Sequence, residues 1–122
     1  MKKKLEDKTV LITGCLSAVG KACALAAIKE GANVIVADVP SDNSEMVMEE
    51  IKMENSNALF IPCDVSKFED VQRTIEKIIS TFRTIDVALN NSAIMCDINE
   101  SENMSKKDWL KIIGINLNGV FN

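Results

Sequence analysis

Short apolar runs alternate with amphipathic stretches along this chain. The runs are Thr9–Ile12, Asn33–Ala37, Ala58–Ile61 and Ile85–Leu89. The first two are continuously apolar and rich in β-branched residues, as expected of strands buried on both faces of a parallel sheet. The stretches between them predict helices. Ala22–Glu30 is rich in alanine, the best helix former, and Gly31 behind it is a stop signal. A second helix is predicted over Ser44–Glu54, with Met46, Val47 and Ile51 as its inner face. Ser66-x-x-Glu69 has the form of a capping box. Phe68, Val71, Ile75, Ile78 and Phe82 then share one face at three-to-four spacing. Ser105-x-x-Asp108 opens a fourth helix that carries Trp109, Ile112, Ile113 and Asn116 and reaches Asn122 with no stop signal.

Four strands with three helices between them make βαβ units. Right-handed crossovers turn such units into an α/β, Rossmann-like, doubly wound parallel sheet with helices on both faces. Spacing alone leaves the strand order open. No Gly/Ser-rich linker interrupts the pattern, and 122 residues suit one domain. A single domain over residues 1–122 is expected, incomplete because the pattern stops in mid-element.

Composition narrows the function classes. Hydrophobic residues are 47% and charged residues 26%, ordinary for a soluble globular protein. A formal net charge of -4 argues against nucleic acid, which needs a basic patch; Lys2–Lys4 reads as a solvated tail. No apolar run reaches the ~18 residues of a membrane span, and no signal-peptide core follows the basic start, so a cytoplasmic chain is expected. Cys15, Cys23, Cys63 and Cys96 show no Cys-x-x-Cys spacing and histidine is absent, so no metal site is expected and the thiols read as reduced. Tyrosine is absent as well, which removes two of the commonest acid/base side chains.

Five constellations carry candidate chemistry. Thr13-Gly14-Cys-Leu-Ser17-Ala18-Val19-Gly20 follows a strand and opens a helix. Gly14 allows the sharp turn, Gly20 allows close helix packing, and the free N–H groups with the positive helix end can receive a pyrophosphate. An ordinary glycine-containing turn is the alternative. Asp38 ends the second strand 18 residues past Gly20, near the spacing of about 20 for an acidic ribose ligand. Its carboxylate suits the 2′- and 3′-hydroxyls and would repel a 2′-phosphate. No Lys or Arg follows in Val39-Pro40-Ser41, so NAD is favoured over NADP, unless Asp38 is only a turn residue before Pro40. Asp64-Val65 after the third strand can offer a carboxylate to an adenine amino group and an N–H to a ring nitrogen, or can simply begin a helix with Ser66. Asn90-Asn91-Ser92-Ala93 offers donors and acceptors at a strand end, or is a polar loop. Asn116 within Ile115-Asn116-Leu-Asn-Gly119-Val-Phe can bend a helix, hold water or be exposed.

Taken in this order, from about Lys8 to Asn122, the set resembles the short-chain dehydrogenase/reductase family. The resemblance implies the 3-2-1-4 part of a sheet ordered 3-2-1-4-5-6-7. It implies that Gly14, Ser17, Ala18, Val19 and Gly20 line the pyrophosphate loop, Asp38 holds the adenosine ribose, Asp64 and Val65 hold adenine, and Asn91 lies near the cofactor. Asn116 resembles the family's asparagine that holds a water for proton relay. Ala18 stands where the family has the middle glycine, and Ser92-Ala93 where it has Ala-Gly. The family's serine and its Tyr-x3-Lys pair would fall beyond Asn122, so the implied function is the NAD(P)-binding portion of an oxidoreductase that moves hydride between NAD and an alcohol or ketone, inactive by itself. Expected partners are the dinucleotide and a second copy or a complementing C-terminal half. Two alternatives remain: a non-catalytic dinucleotide-binding or interaction module, and an S-adenosylmethionine-dependent methyltransferase, against which the Thr13-Gly14 loop spacing and the double asparagine argue.

Overall fold

The computed structural model describes residues 2–54, 57–97 and 100–122. Strands β1 (Thr9–Thr13), β2 (Asn33–Asp38), β3 (Leu59–Pro62) and β4 (Val87–Leu89) form one parallel sheet in the order β3-β2-β1-β4. Helices α1 (Ala18–Lys29), α2 (Ser44–Glu54) and α3 (Phe68–Phe82) are the crossovers. After β4 come a short 3-10 turn (Ser101–Asn103), α4 (Lys106–Ile112), a π-helical stretch (Ile113–Asn118) and α5 (Gly119–Phe121). The chain leaves β1 toward β2 on one side and returns to β4 on the other. The carboxyl ends of β1 and β4 therefore flank the point where strand order reverses, the usual ligand crevice of such sheets.

Alternation along the inner strands explains why their runs are continuously apolar. Val10, Ile12, Val34 and Val36 pack with Ala24, Ala27 and Ile28 of α1 and with Val47, Met48 and Ile51 of α2. Leu11, Ile35 and Ala37 point the other way, toward Ile78 of α3 with Val71, Ile75 and Phe82 around it. Period-two alternation between two helix layers makes every position a core position.

The structure departs from the sequence expectation at several boundaries. α1 begins at Ala18, four residues before Ala22, because Ser17 caps it and accepts from the Gly20 amide at 3.2 Å. Ser66 forms no capping box. Lys67 sits at the cap position without a side-chain bond, and the Ser66 hydroxyl instead donates to Asp64 Oδ1 at 2.6 Å. Met46 and Phe68 are exposed; Met48 takes the inner position in α2, and Phe68 lies at the very start of α3, ahead of the turns that meet the sheet. The fourth helix starts where expected, with Ser105 accepting from the Asp108 amide at 3.0 Å, but it widens into the π stretch around Asn116.

Candidate cofactor-binding site

The loop between β1 and α1 is held by small residues. Gly14 has φ +68°, and a Cβ there would lie 2.8 Å from the Ser92 Cα. Both features exclude a side chain and let the loop after β4 lie directly on the turn. A Cβ on Gly20 would lie 2.6 Å from both the Cys15 Cα and the Gly14 carbonyl oxygen. Gly20 thus sets how closely α1 approaches its own loop. Ser17 closes the turn by donating to the Gly14 carbonyl at 2.8 Å while it caps α1. The first-turn amides of Ala18 and Val19 have no intrahelical acceptor, and both side chains are exposed. These amides, at the positive end of a twelve-residue helix, suit an anion.

Asp38 is tied to this loop. Its Oδ2 accepts from the Leu16 amide at 2.9 Å and its Oδ1 from the Val39 amide at 2.8 Å. Two fixed backbone donors orient the carboxylate and leave lone pairs for a diol. Beneath the loop, burial pushes the Cys15 thiol up to about 12, and the neighbouring Asp38 charge and Cys23 add to the effect, so Cys15 stays a neutral core residue. Asp64 is more engaged than its motif suggests. Burial works against its charged form, but bonds from the Ser66 hydroxyl and amide, with Lys67 at 3.7 Å, outweigh it and hold the carboxyl below the usual range. Val65 beside it is buried, and its N–H has no acceptor among the described residues.

The loop after β4 is fastened by residues of three elements. The buried Thr13 hydroxyl accepts from the Asn91 and Ser92 amides at 3.0 and 3.1 Å and donates to the Leu89 carbonyl at 3.5 Å. The Asn91 side chain donates to the Gly14 carbonyl at 3.0 Å and to Ser17 Oγ at 3.3 Å. Asn116 holds the next residues: its Oδ1 accepts from the Ile94 amide and its Nδ2 donates to the Ile94 carbonyl, both at 2.9 Å. Its side-chain amide is occupied by main chain.

One crevice of about 460 Å³ unites Gly14, Ser17, Val19, Asp38, Asp64, Val65 and Asn91. Ala18, Gly20 and Asn116 do not line it: Ala18 lies in the first turn of α1, Gly20 is packed on the loop backbone, and Asn116 is bonded to the Ile94 backbone. Ile94, Met95 and Ile115 complete the lining with apolar surface that no sequence motif singled out, although Ile115 adjoins Asn116. Thr13 was likewise legible only as a motif letter. An anion-binding helix turn, an oriented carboxylate and an unpaired Val65 amide in one apolar crevice fit an adenine dinucleotide. Among the described residues no group of His, Cys, Asp and Glu could hold a metal ion, and no helix is long and apolar enough to cross a membrane.

Comparison with known proteins agrees in extent and in fold. The family model described as short chain dehydrogenase matches residues 8–122. Cyclohexanol dehydrogenase of Acinetobacter sp. (strain SE19) is 33% identical over 121 residues, covering 99% of this chain and 48% of that protein. A 3-oxoacyl-(acyl-carrier-protein) reductase of Staphylococcus epidermidis is 37% identical over 117 residues, covering 95% of this chain and 48% of that protein. The chain thus spans about half the length of the curated relatives it matches. Among solved structures, a 3-ketoacyl-(acyl-carrier-protein) reductase from Brucella melitensis complexed with NADH superposes with a TM-score of 0.89 at 33% identity, covering 97% of this chain and 47% of that one. NAD+-bound xylitol dehydrogenase gives 0.92 at 26% identity, with 98% and 46% covered.

Proposed function

We propose, for a chain that belongs to the short-chain dehydrogenase family, that its crevice binds NAD in preference to NADP and that the 122 residues alone bind without turnover. Membership sets the methyltransferase alternative aside. The observation that carries the preference is Asp38. Its carboxylate is fixed by the Leu16 and Val39 amides, and residues 39–41 supply no cation to offset a 2′-phosphate. The α1 amides of Ala18 and Val19 receive the pyrophosphate, with Gly14, Ser17 and Gly20 shaping the turn. Val65 N–H meets the adenine ring while Asp64 braces that turn. Asn91 and Asn116 hold the loop against which the nicotinamide end rests. Bound NAD supplies the carbon that accepts or gives hydride, and the substrate class we assign is an alcohol or ketone.

The family's Tyr-x3-Lys tyrosine has no counterpart here, because the chain has no tyrosine, and no histidine stands in for it. Asn116 acts through the main chain it holds. Calorimetry tests the central claim. NAD should bind at least about tenfold more tightly than NADP, a difference of ~1.4 kcal/mol, and Asp38→Asn should erase that ratio. Equal affinities in the unmodified chain would sink the preference, and NADH oxidation by ketones well above background would sink the prediction of no turnover.

The open edge of β4 favours a second property, docking of a partner. Val87 of this strand is exposed. A complementing C-terminal half, or a second copy, would cover such surface. A clean monomer in light scattering that stays monomeric with NAD counts against self-association. Four free thiols suit a reducing compartment, and we place the chain in the cytoplasm.

A further inference from the structure

We propose that the segment Ile113–Asn122 is a positioning device for both ends of the crevice, and that Gly119 and Asn122 set its adenine end through Val65. This rests on reading the crevice as the dinucleotide site. Val65 is gripped twice by the last helical turn. A Cβ on Gly119 would lie 2.6 Å from Val65 Cγ2 and 3.2 Å from its Cβ, so the helix backbone sits directly on the valine side chain. The Asn122 side-chain amide donates to the Val65 carbonyl at 2.9 Å. With side chain and carbonyl both fixed, the one main-chain group of Val65 left without a partner is its N–H.

The same segment reaches the other end of the crevice. Asn116 holds both backbone groups of Ile94 at 2.9 Å, and Ile94 lines the wall that follows β4, at the opposite edge of the sheet from β3. Adenine recognition therefore depends on residues that need not touch the base. Gly119 keeps the helix low enough for Asn122 to reach the carbonyl. The peptide plane of Val65, and so the direction of its N–H, follows from those two contacts.

The test is base discrimination by the full chain. A ring nitrogen of adenine accepts from an N–H, whereas the corresponding position of hypoxanthine carries a proton and cannot. NAD should bind about tenfold more tightly than nicotinamide hypoxanthine dinucleotide, the worth of one well-placed hydrogen bond. Gly119→Ala should reduce that ratio to about one to two. Val65→Ala added to it removes the methyls that the new Cβ meets and should bring the ratio back. Asn122→Ala, at the chain end, should lower the ratio severalfold even if Gly119→Ala fails to fold. Asn116→Ala should weaken both dinucleotides and leave the ratio alone. A folded Gly119→Ala or Asn122→Ala variant with the full ratio overturns the inference, as does failure of the double variant to recover it. If the unmodified chain binds neither dinucleotide, the dinucleotide reading falls and this inference with it. If it binds both equally well, the crevice reading stands and the Val65 assignment alone is lost.

Discussion

The two sides of β1 differ sharply. Toward β2, every residue from Thr9 to Thr13 has a partner, and Val34–Ala37 are fully buried between two helix layers. Toward β4, only Val10–Ile12 are paired, and Val87 is 41% exposed. An apolar groove of about 350 Å³ runs between α1 and β4, lined by Leu5, Val10, Ile12, Val87 and Leu89 among others. The crevice straddles this divide. Its glycine turn and Asp38 stand on the buried side, whereas Asn91, Ile94 and Asn116 stand on the open side. Local stability follows burial, so the proposed phosphate and ribose contacts rest on the firmer half. The proposed nicotinamide end depends on a few hydrogen bonds that lash the open half to it.

The largest expected effect tests the buried side directly. Ile35→Ala should cost about 2–5 kcal/mol, as for other buried large-to-small changes, while Val87→Ala should stay within ~0.5 kcal/mol. Chemical denaturation of both variants decides the matter, and comparable losses would erase the distinction. Next comes the lashing itself. Thr13→Val keeps the shape but strips the acceptor from the half-buried Asn91 and Ser92 amides, each loss costing at most about 1–3 kcal/mol. Hydrogen exchange should rise in the loop after β4 and remain slow in β2; uniform loosening would contradict a local tie.

The smallest effect concerns Asp86, where β4 begins. The Thr9 amide chiefly holds its carboxyl below the ordinary range, with burial opposing and Lys8 assisting. A carboxyl lowered by folding stabilises the native state above the unfolded pKa of about 3.9. That contribution fades as pH falls through the lower folded value. The melting-temperature gap between the unmodified chain and Asp86→Asn should therefore be open at pH 6 and closed by strongly acid pH. A gap that widens on acidification would reverse the sign.

Legibility in the sequence followed the same divide. The buried strands announce themselves, since a position packed on either face must be apolar, and Val34–Ala37 admits few other readings. Strand order came from the family resemblance, because no local signal says which neighbour a strand chooses. Ser17 reads in the sequence as a loop residue although it caps α1: a cap inside a glycine loop looks like part of the turn. Ser66 misled for the opposite reason. Its spacing to Glu69 suits a cap, but Asp64 two residues earlier is the closer partner. The π stretch around Asn116 leaves no periodic trace, since one widened turn within a short helix shifts the pattern by a single residue. Thr13, Asn122 and Ile94 act through contacts far along the chain, which spacing does not encode.

That widened turn also makes the segment sensitive to residue count. A π turn holds one residue more than an α turn would. Deleting the exposed Leu117 would let the turn close to an ordinary α-helix with its flanks nearly in place, whereas an insertion there would rotate everything after it by about 100° and advance it by about 1.5 Å. Asn116 would keep its grip on Ile94 while Gly119 and Asn122 swung away from Val65. The stretch behaves like a vernier with two fixed marks: it accepts new letters between them, and the loss of one, but no insertion.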